Sequence, residues 1–303
     1  NDIRHFIGLE AFSPEALRAM IDRAAALKRA PETGYSLLDG KTLAMIFETP
    51  STRTRISFDV AMNKLGGRSI ALSPGELQLG RGETISDTAR VLSRYVDAVL
   101  LRTNSHDSLL QLVESADVPI INGLTDRSHP CQLMADILTF EEHRGPIAGR
   151  RIAWVGDGNN MAATWIQAAA QFKFSLRLAC PTAYAPEAEM LDWALTRGAE
   201  IGVSENVSEA VANADCVVTD TWISMSDDAG SQKIKNLQPF QVNEAVMAEA
   251  ADDAIFLHCL PAKRGLEVTE GVMAGPHSVV FDEAENRLHA QKAILLWCLA
   301  GNL

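Results

Sequence analysis

Cysteine is scarce and unpaired in this 303-residue sequence: there are five, at positions 131, 180, 216, 259 and 298, with no C-x-x-C spacing. That pattern excludes a disulfide framework and a thiolate zinc cluster, and reduced thiols fit a cytosol-like compartment. Positive charge is also in deficit, with 27 Lys and Arg against 39 Asp and Glu for a net charge of −12. So acidic a chain has no general affinity for nucleic acid. No apolar run approaches the roughly 20 residues that span a bilayer, and nothing at the start resembles a signal peptide. A cytoplasmic protein with neither nucleic acid nor membrane as a partner is expected. Internal repeats and low-complexity tracts are absent as well, which excludes solenoids and flexible linkers. What is present is an ordinary globular composition, 47% hydrophobic and 22% charged, in a chain long enough for two cores.

Apolar runs of strand length alternate with amphipathic stretches. Strands are expected at Leu43–Phe47, Arg68–Leu72, Asp97–Arg102 and Val118–Asn122, with helices near 52–65, 84–95 and 106–116. A capped, proline-started helix opens at Ser13-Pro14-Glu15 and runs to about Arg29. Another runs from about Pro130 to His143, and Arg144-Gly-Pro-Ile-Ala-Gly149 then reads as a domain boundary. A second series of strands comes next at Arg151–Val155, Ser175–Ala179, Cys216–Thr219, Ile255–His258 and Ser278–Phe281, closed by a helix from Glu283 to Leu299. The expected fold class is α/β: two domains, each a parallel sheet flanked by helices, with the C-terminal helix packing back on the first. The domains are placed at 1–143 plus 283–303 and at 150–282, with a cleft between them.

Ligands of such sheets lie beyond the carboxyl ends of the strands, so the residues at those ends matter most. After Phe47 comes Glu-Thr-Pro-Ser51-Thr52-Arg53-Thr54-Arg55, leading into a segment with Ile56, Val60 and Leu65 on one face. Ser51 is placed to cap that helix, and three hydroxyls and two guanidiniums at a helix start suit a phosphate. A merely capped helix would explain one hydroxyl but not three alternating with arginines. Arg102-Thr103 ends another strand, and His129-Pro-Cys-Gln132 opens a helix with an imidazole and a carboxamide about one turn apart.

In the second half, Gly156-Asp-Gly158-Asn-Asn160-Met161 begins like a dinucleotide fingerprint but has Met161 where the third glycine would stand. The next strand ends in Cys180-Pro181 with no acid, which argues against nicotinamide. Asn159 and Asn160 instead offer amides to an amino-acid carboxylate or amine. Asp220 offers a carboxylate to an ammonium, with Ser224 and Met225 close behind it. Cys259 is next to His258 on a strand, where neighbours point to opposite faces, so a Cys–His nucleophile pair is disfavoured. Cys259 reads as a thiol that lines the site. Arg81, Lys263 and Arg264 read as solvated charges.

Together these segments resemble the aspartate/ornithine carbamoyltransferase family from Arg4-His-Phe-Ile7 to Ala284-Glu-Asn-Arg287-Leu-His-Ala-Gln-Lys-Ala293. Ser51-Thr-Arg-Thr-Arg55 is the most specific match. Asp220-Thr-Trp-Ile-Ser-Met225 and His258-Cys-Leu-Pro261 are similar to the members that act on ornithine; those that act on aspartate have proline where Cys259 stands. Two positions depart from the family pattern: Ser226 stands where glycine normally comes after the Ser-Met pair, and Cys131 where threonine is frequent.

The resemblance implies a donor site of Ser51, Thr52, Arg53 and Thr54 around the phosphate of carbamoyl phosphate. Arg102, His129 and Gln132 would surround the carbamoyl group, and Gln78 would reach into a neighbouring subunit's site. Cys259, Leu260 and Arg287 would complete the reacting centre, with Arg102, His129, Cys259 and Arg287 as its catalytic members. Asn160, Asp220, Ser224 and Met225 would hold ornithine. The implied reaction moves the carbamoyl group to the δ-amine of L-ornithine, giving L-citrulline and phosphate in arginine biosynthesis, with no metal or cofactor. A homotrimer, or a multiple of one, is the implied assembly. Competing readings are a sister carbamoyltransferase for an N-acylated ornithine or a diamine, a nicotinamide oxidoreductase, and a non-enzymatic phosphate sensor.

Overall fold

A computed structural model describes residues 3–31, 35–73, 75, 82–223 and 231–301. The chain divides into two compact units, residues 1–135 with 286–303 and residues 136–285. The first unit begins with helix α1 (Pro14–Arg29), then alternates β1 (Thr42–Phe47), α2 (Thr52–Lys64), β2 (Arg68–Leu72), α3 (Ile85–Leu92), β3 (Ala98–Arg102), α4 (His106–Ser115) and β4 (Ile120–Leu124). Helix α5 (Pro130–Arg144) carries the chain onward. The second unit holds β5 (Arg151–Val155), α6 (Asn160–Phe172), β6 (Ser175–Ala179), α7 (Ala188–Leu195), β7 (Ile201–Ser204), α8 (Val207–Val211) and β8 (Cys216–Thr219). It continues through α9 (Ser231–Leu237), α10 (Glu244–Met247), β9 (Ile255–His258) and α11 (Glu270–Met273) to α12 (Val280–Leu299), whose second part returns to the first unit.

Both sheets are parallel, in the order β2-β1-β3-β4 and β7-β6-β5-β8-β9. Strands sandwiched between helices bury both faces, which is why β1 is buried at every position and needs no alternation. The order reverses between β1 and β3 in the first sheet and between β5 and β8 in the second. These are the two switch points where ligand loops diverge. The N-terminal segment also joins the first sheet, with Phe6 N donating to Ile120 O and Asn122 N to Phe6 O, each at 2.8 Å.

Three local expectations change. Ser278–Phe281 forms no strand: Ser278 makes an isolated bridge with Phe256, and α12 already starts at Val280. Asp282 and Glu283 lie in its first turn, where acids favour a helix start over the β-branched pair Val279-Val280. The fifth strand is instead β7, a short edge strand with half-exposed residues. On α2 the buried face is Thr54, Phe58, Ala61 and Met62, with Leu65 just past its end, while Ile56 is 57% exposed. Apolar identity alone misplaced that face by about half a turn. The returning part of α12 is buried nearly all round, polar Asn286, Arg287, His289, Gln291 and Lys292 included. Asn286 Oδ1 accepts from Lys28 Nζ at 2.8 Å, which ties the helix to α1.

Candidate active site

In the first unit, Ser51 caps α2 as expected: its side-chain oxygen accepts from Thr54 N at 3.3 Å. The cap leaves the first turn of α2 at the carboxyl end of β1, with its remaining N–H groups available to an anion. Thr54 is fully buried, and its Oγ1 accepts from Arg287 Nη2 at 2.7 Å, so α12 delivers a guanidinium onto α2. Along the five-residue run Thr52 and Arg55 are exposed, Ser51 and Arg53 are half-buried and Thr54 is buried. Arg102 ends β3, where Glu48 N donates to its carbonyl at 2.9 Å. The β3–β4 register slips between Leu101 and Arg102, so Gly123 is an extra residue on β4. A Cβ on Gly123 would come within 2.9 Å of Leu100 Cδ2 and 3.2 Å of Arg102 Cβ, so only glycine lets β4 approach here.

His129 and Gln132 open α5, 4% and 1% exposed. Burial, then the positive charges of Arg287, Arg102 and Arg53, hold the His129 imidazole well below the usual histidine range. It is therefore neutral at pH 7, one N–H donor among three guanidiniums. The same neighbours identify Arg53, Arg102 and Arg287 as one cationic cluster. Cys131 points elsewhere: its thiol contacts Asn122 O at 3.3 Å, and burial pushes its pKa up to about 12.

The second unit presents the opposite charge. Asn159 caps α6, accepting from Met161 N at 2.9 Å and Ala162 N at 3.2 Å, while its Nδ2 donates to Asp220 Oδ2 at 2.9 Å. The other Asp220 oxygen accepts from Thr221 N at 2.7 Å and from the Cys259 thiol at 3.1 Å. Burial, then the charges of Asp220 and Glu283, push the Cys259 thiol well above its usual range. It is a neutral S–H donor, and nucleophilic attack by a thiolate finds no support. Asn160 is the first residue of α6. Gly158 has a structural duty: a Cβ there would lie 2.4 Å from Pro186 N and 2.5 Å from Tyr184 O. The glycine of the incomplete fingerprint thus serves a close backbone approach to 184–186.

Leu260 stands at φ +57°, and its N–H donates to His258 Nδ1 at 2.9 Å. That bond places the imidazole proton on Nε2, which faces Glu267 Oε1 at 3.4 Å; both residues are fully buried. Asp220, His258 and Cys259 each offer a ligand atom within 4.8 Å of the others, the one such group among the described residues. Both His258 nitrogens already face protein partners, so an ion would have to displace one of them. His258 and Cys259 engage different neighbours, in keeping with their opposite directions from the strand end. Lys263 is exposed, as expected of a solvated charge, and also donates to Ile223 O at 3.1 Å. Gln78, Arg81, Ser224, Met225 and Ser226 lie outside the described residues.

Sequence reasoning did not find Asn159 as the partner of Asp220, nor the His258–Glu267 pair. The sequence offers the Asn159 amide to an amino-acid ligand, not to Asp220, and nothing in it links Glu267 to His258.

Two family models match the chain: the carbamoyl-P binding domain of aspartate/ornithine carbamoyltransferase over residues 4–142 and its Asp/Orn binding domain over residues 148–298. The chain belongs to the aspartate/ornithine carbamoyltransferase family. It is 58% identical to the ornithine carbamoyltransferase of Rhodopseudomonas palustris strain BisA53, covering 99% of both chains. It is 55% identical to that of Agrobacterium fabrum, covering 98% of both. Among solved carbamoyltransferases of the family, the Pyrococcus furiosus ornithine carbamoyltransferase superposes with a TM-score of 0.94 at 44% identity, over 99% of this chain and 98% of that one. The Burkholderia thailandensis ornithine carbamoyltransferase gives 0.91 at 46%, over 99% and 100%.

Proposed function

We propose that this chain is an ornithine carbamoyltransferase, moving the carbamoyl group of carbamoyl phosphate to the δ-amine of L-ornithine and releasing L-citrulline and phosphate. The observation that carries the reading is the opposite charge at the two switch points. Arg53, Arg102 and Arg287 surround a neutral His129 in the first unit, and Asp220 collects donors from Asn159, Thr221 and Cys259 in the second. A phosphorylated donor suits the first and an amino acid bearing ammonium groups suits the second.

In this reading Ser51, Thr52, Arg53 and Thr54, with the α2 N-terminus, bind the phosphate, and Gln78 is a further donor from a neighbouring subunit. Arg102, His129 and Gln132 hold the carbamoyl oxygen and nitrogen, and Leu260 and Cys259 complete the reacting centre. Asn160, Asp220, Ser224 and Met225 bind ornithine. The neutral δ-amine attacks the carbamoyl carbon. Arg102, His129 and Thr54 stabilise the oxyanion, worth roughly 3–4 kcal/mol for a well-placed donor. Arg287 and Arg53 neutralise the departing phosphate, which can accept the amine's proton. A free alkylamine titrates near pH 10, so the rate rises with pH as the reactive form accumulates.

The reaction fits arginine biosynthesis, and five free cysteines fit a reducing cytoplasm. A homotrimer is the assembly proposed, and exposed apolar side chains on the first unit, Ile56 on α2 and Ile70 on the edge strand β2, are compatible with it. Sedimentation at three times the chain mass tests it.

Citrulline-type product formation from carbamoyl phosphate, measured in parallel with ornithine, N-acetylornithine, putrescine and aspartate, tests the reaction. Turnover with ornithine alone is expected; turnover only with aspartate or putrescine would overturn it.

A further inference from the structure

Lys233 has none of the roles above, yet its surroundings differ from those of a solvated surface lysine. Its Nζ lies 2.7 Å from Asp157 Oδ2, and the two side chains are only 17% and 12% exposed. The same ammonium sits 5.5 Å from the centre of the Tyr184 ring. An exposed ion pair contributes little and needs no enclosure. An enclosed one fixes its partners, because separating them leaves an uncompensated charge.

Asp157 belongs to the loop that bears the acceptor-side residues. Its carbonyl accepts from Trp154 Nε1 at 3.0 Å, and the next residue, Gly158, donates its N–H to Tyr184 O at 2.8 Å. Asn159, one residue further on, donates to Asp220. Trp154 and Tyr184 thus seat the backbone of the loop, while Lys233 on α9 grips its carboxylate. Tyr184 takes part twice, through its carbonyl and through its ring. The ion pair therefore joins α9 to both the loop after β5 and the turn after β6.

We propose that Lys233 is a positioning residue for the amino-acid acceptor: its pair with Asp157 fixes the 156–160 loop and, through Asn159, the Asp220 carboxylate that receives the acceptor's ammonium. This rests on the assignment of the second unit's residues to ornithine given above. Lys233 acts through Asp157 and the Tyr184 ring, not on the acceptor itself.

Steady-state kinetics of four variants test it, with the thermal midpoint and the KM for carbamoyl phosphate as internal measures of intact folding. Lys233→Met and Asp157→Asn are each expected to raise the KM for ornithine about tenfold while leaving that for carbamoyl phosphate unchanged. The double variant is expected to be no worse than either single, since each breaks the same pair. Lys233→Arg is expected to restore the wild-type KM. An unchanged KM for ornithine in Lys233→Met, equal rises in both KM values, or single effects that multiply in the double variant would overturn the proposal. A wild-type protein that makes no citrulline overturns the acceptor assignment instead, and that control is read first.

Discussion

At the first switch point, β1 leads to Arg53 and Thr54 on α2 and β3 ends in Arg102, and burial among guanidiniums keeps His129 neutral. At the second, β5 and β8 lead into the loops that carry Asn159 and Asp220, and three donors converge on one carboxylate. The backbone solution is the same in both, a parallel sheet whose order reverses and whose loops diverge. The side chains placed there are opposite in sign. Topology therefore fixes where a ligand goes and the strand-end residues fix what it is, so the fold alone would not separate donor from acceptor.

The largest effect is expected where the first unit's charge is removed. Arg53→Gln should lower kcat/KM for carbamoyl phosphate by about 10²–10³-fold, the loss of one well-placed charged donor, while ornithine binding changes little. Steady-state titration of each substrate checks this, and a similar loss for ornithine would erase the contrast between the two units.

Acid sharpens the same contrast. The folded-state pKa of His129 is lowered by burial and by Arg287, Arg102 and Arg53. An unfolded histidine binds its proton near pH 6.5, whereas the folded one does not, so the unfolded state holds more protons below that pH. Stability is full above about pH 6.5 and is lost as pH falls below it. His5 and His106, lowered chiefly by burial, act in the same direction. Thermal midpoints between pH 8 and pH 5 should fall in the wild type and fall less in His129→Gln.

The smallest effect is expected at Cys131, inside the donor motif but facing the Asn122 carbonyl. Cys131→Thr should leave kcat/KM within about twofold and change stability by about 1 kcal/mol, as buried near-isosteric changes do. A tenfold loss of activity would place that side chain at the ligand.

The sequence displays the first unit's site more openly than the second's. Ser51 to Thr54 are contiguous, the cap is local, and Arg102 and His129 each come after an apolar strand that announces itself. Even there, the sequence presents Arg55 as the equal of Arg53, and only the helix phase separates the half-buried one from the exposed one. In the second unit Asp220 and Cys259 are readable as polar strand ends, but what orients them is not. Asn159 reaches Asp220 from another loop, Glu267 reaches His258 after a turn, and Lys233 reaches Asp157 from a different helix. Such pairs depend on sheet order, which a strand list does not contain. Strand β7 was missed for a related reason: Ile201-Gly-Val-Ser204 is short, half exposed and lies at an edge, so it lacks a continuous apolar run. Val279-Val280 misled in the other direction, because β-propensity yields to helix-start acids and tertiary packing.

The division of labour between the units is tested most directly by binding a donor analogue alone. Calorimetric titration with phosphonoacetamide, an unreactive analogue of carbamoyl phosphate, would be run on the wild type, Asp220→Asn and Arg53→Gln. The account predicts wild-type affinity in Asp220→Asn, despite a KM for ornithine raised by about 10²-fold from the lost buried carboxylate, and a large loss of affinity in Arg53→Gln. Equal weakening in both variants would contradict it.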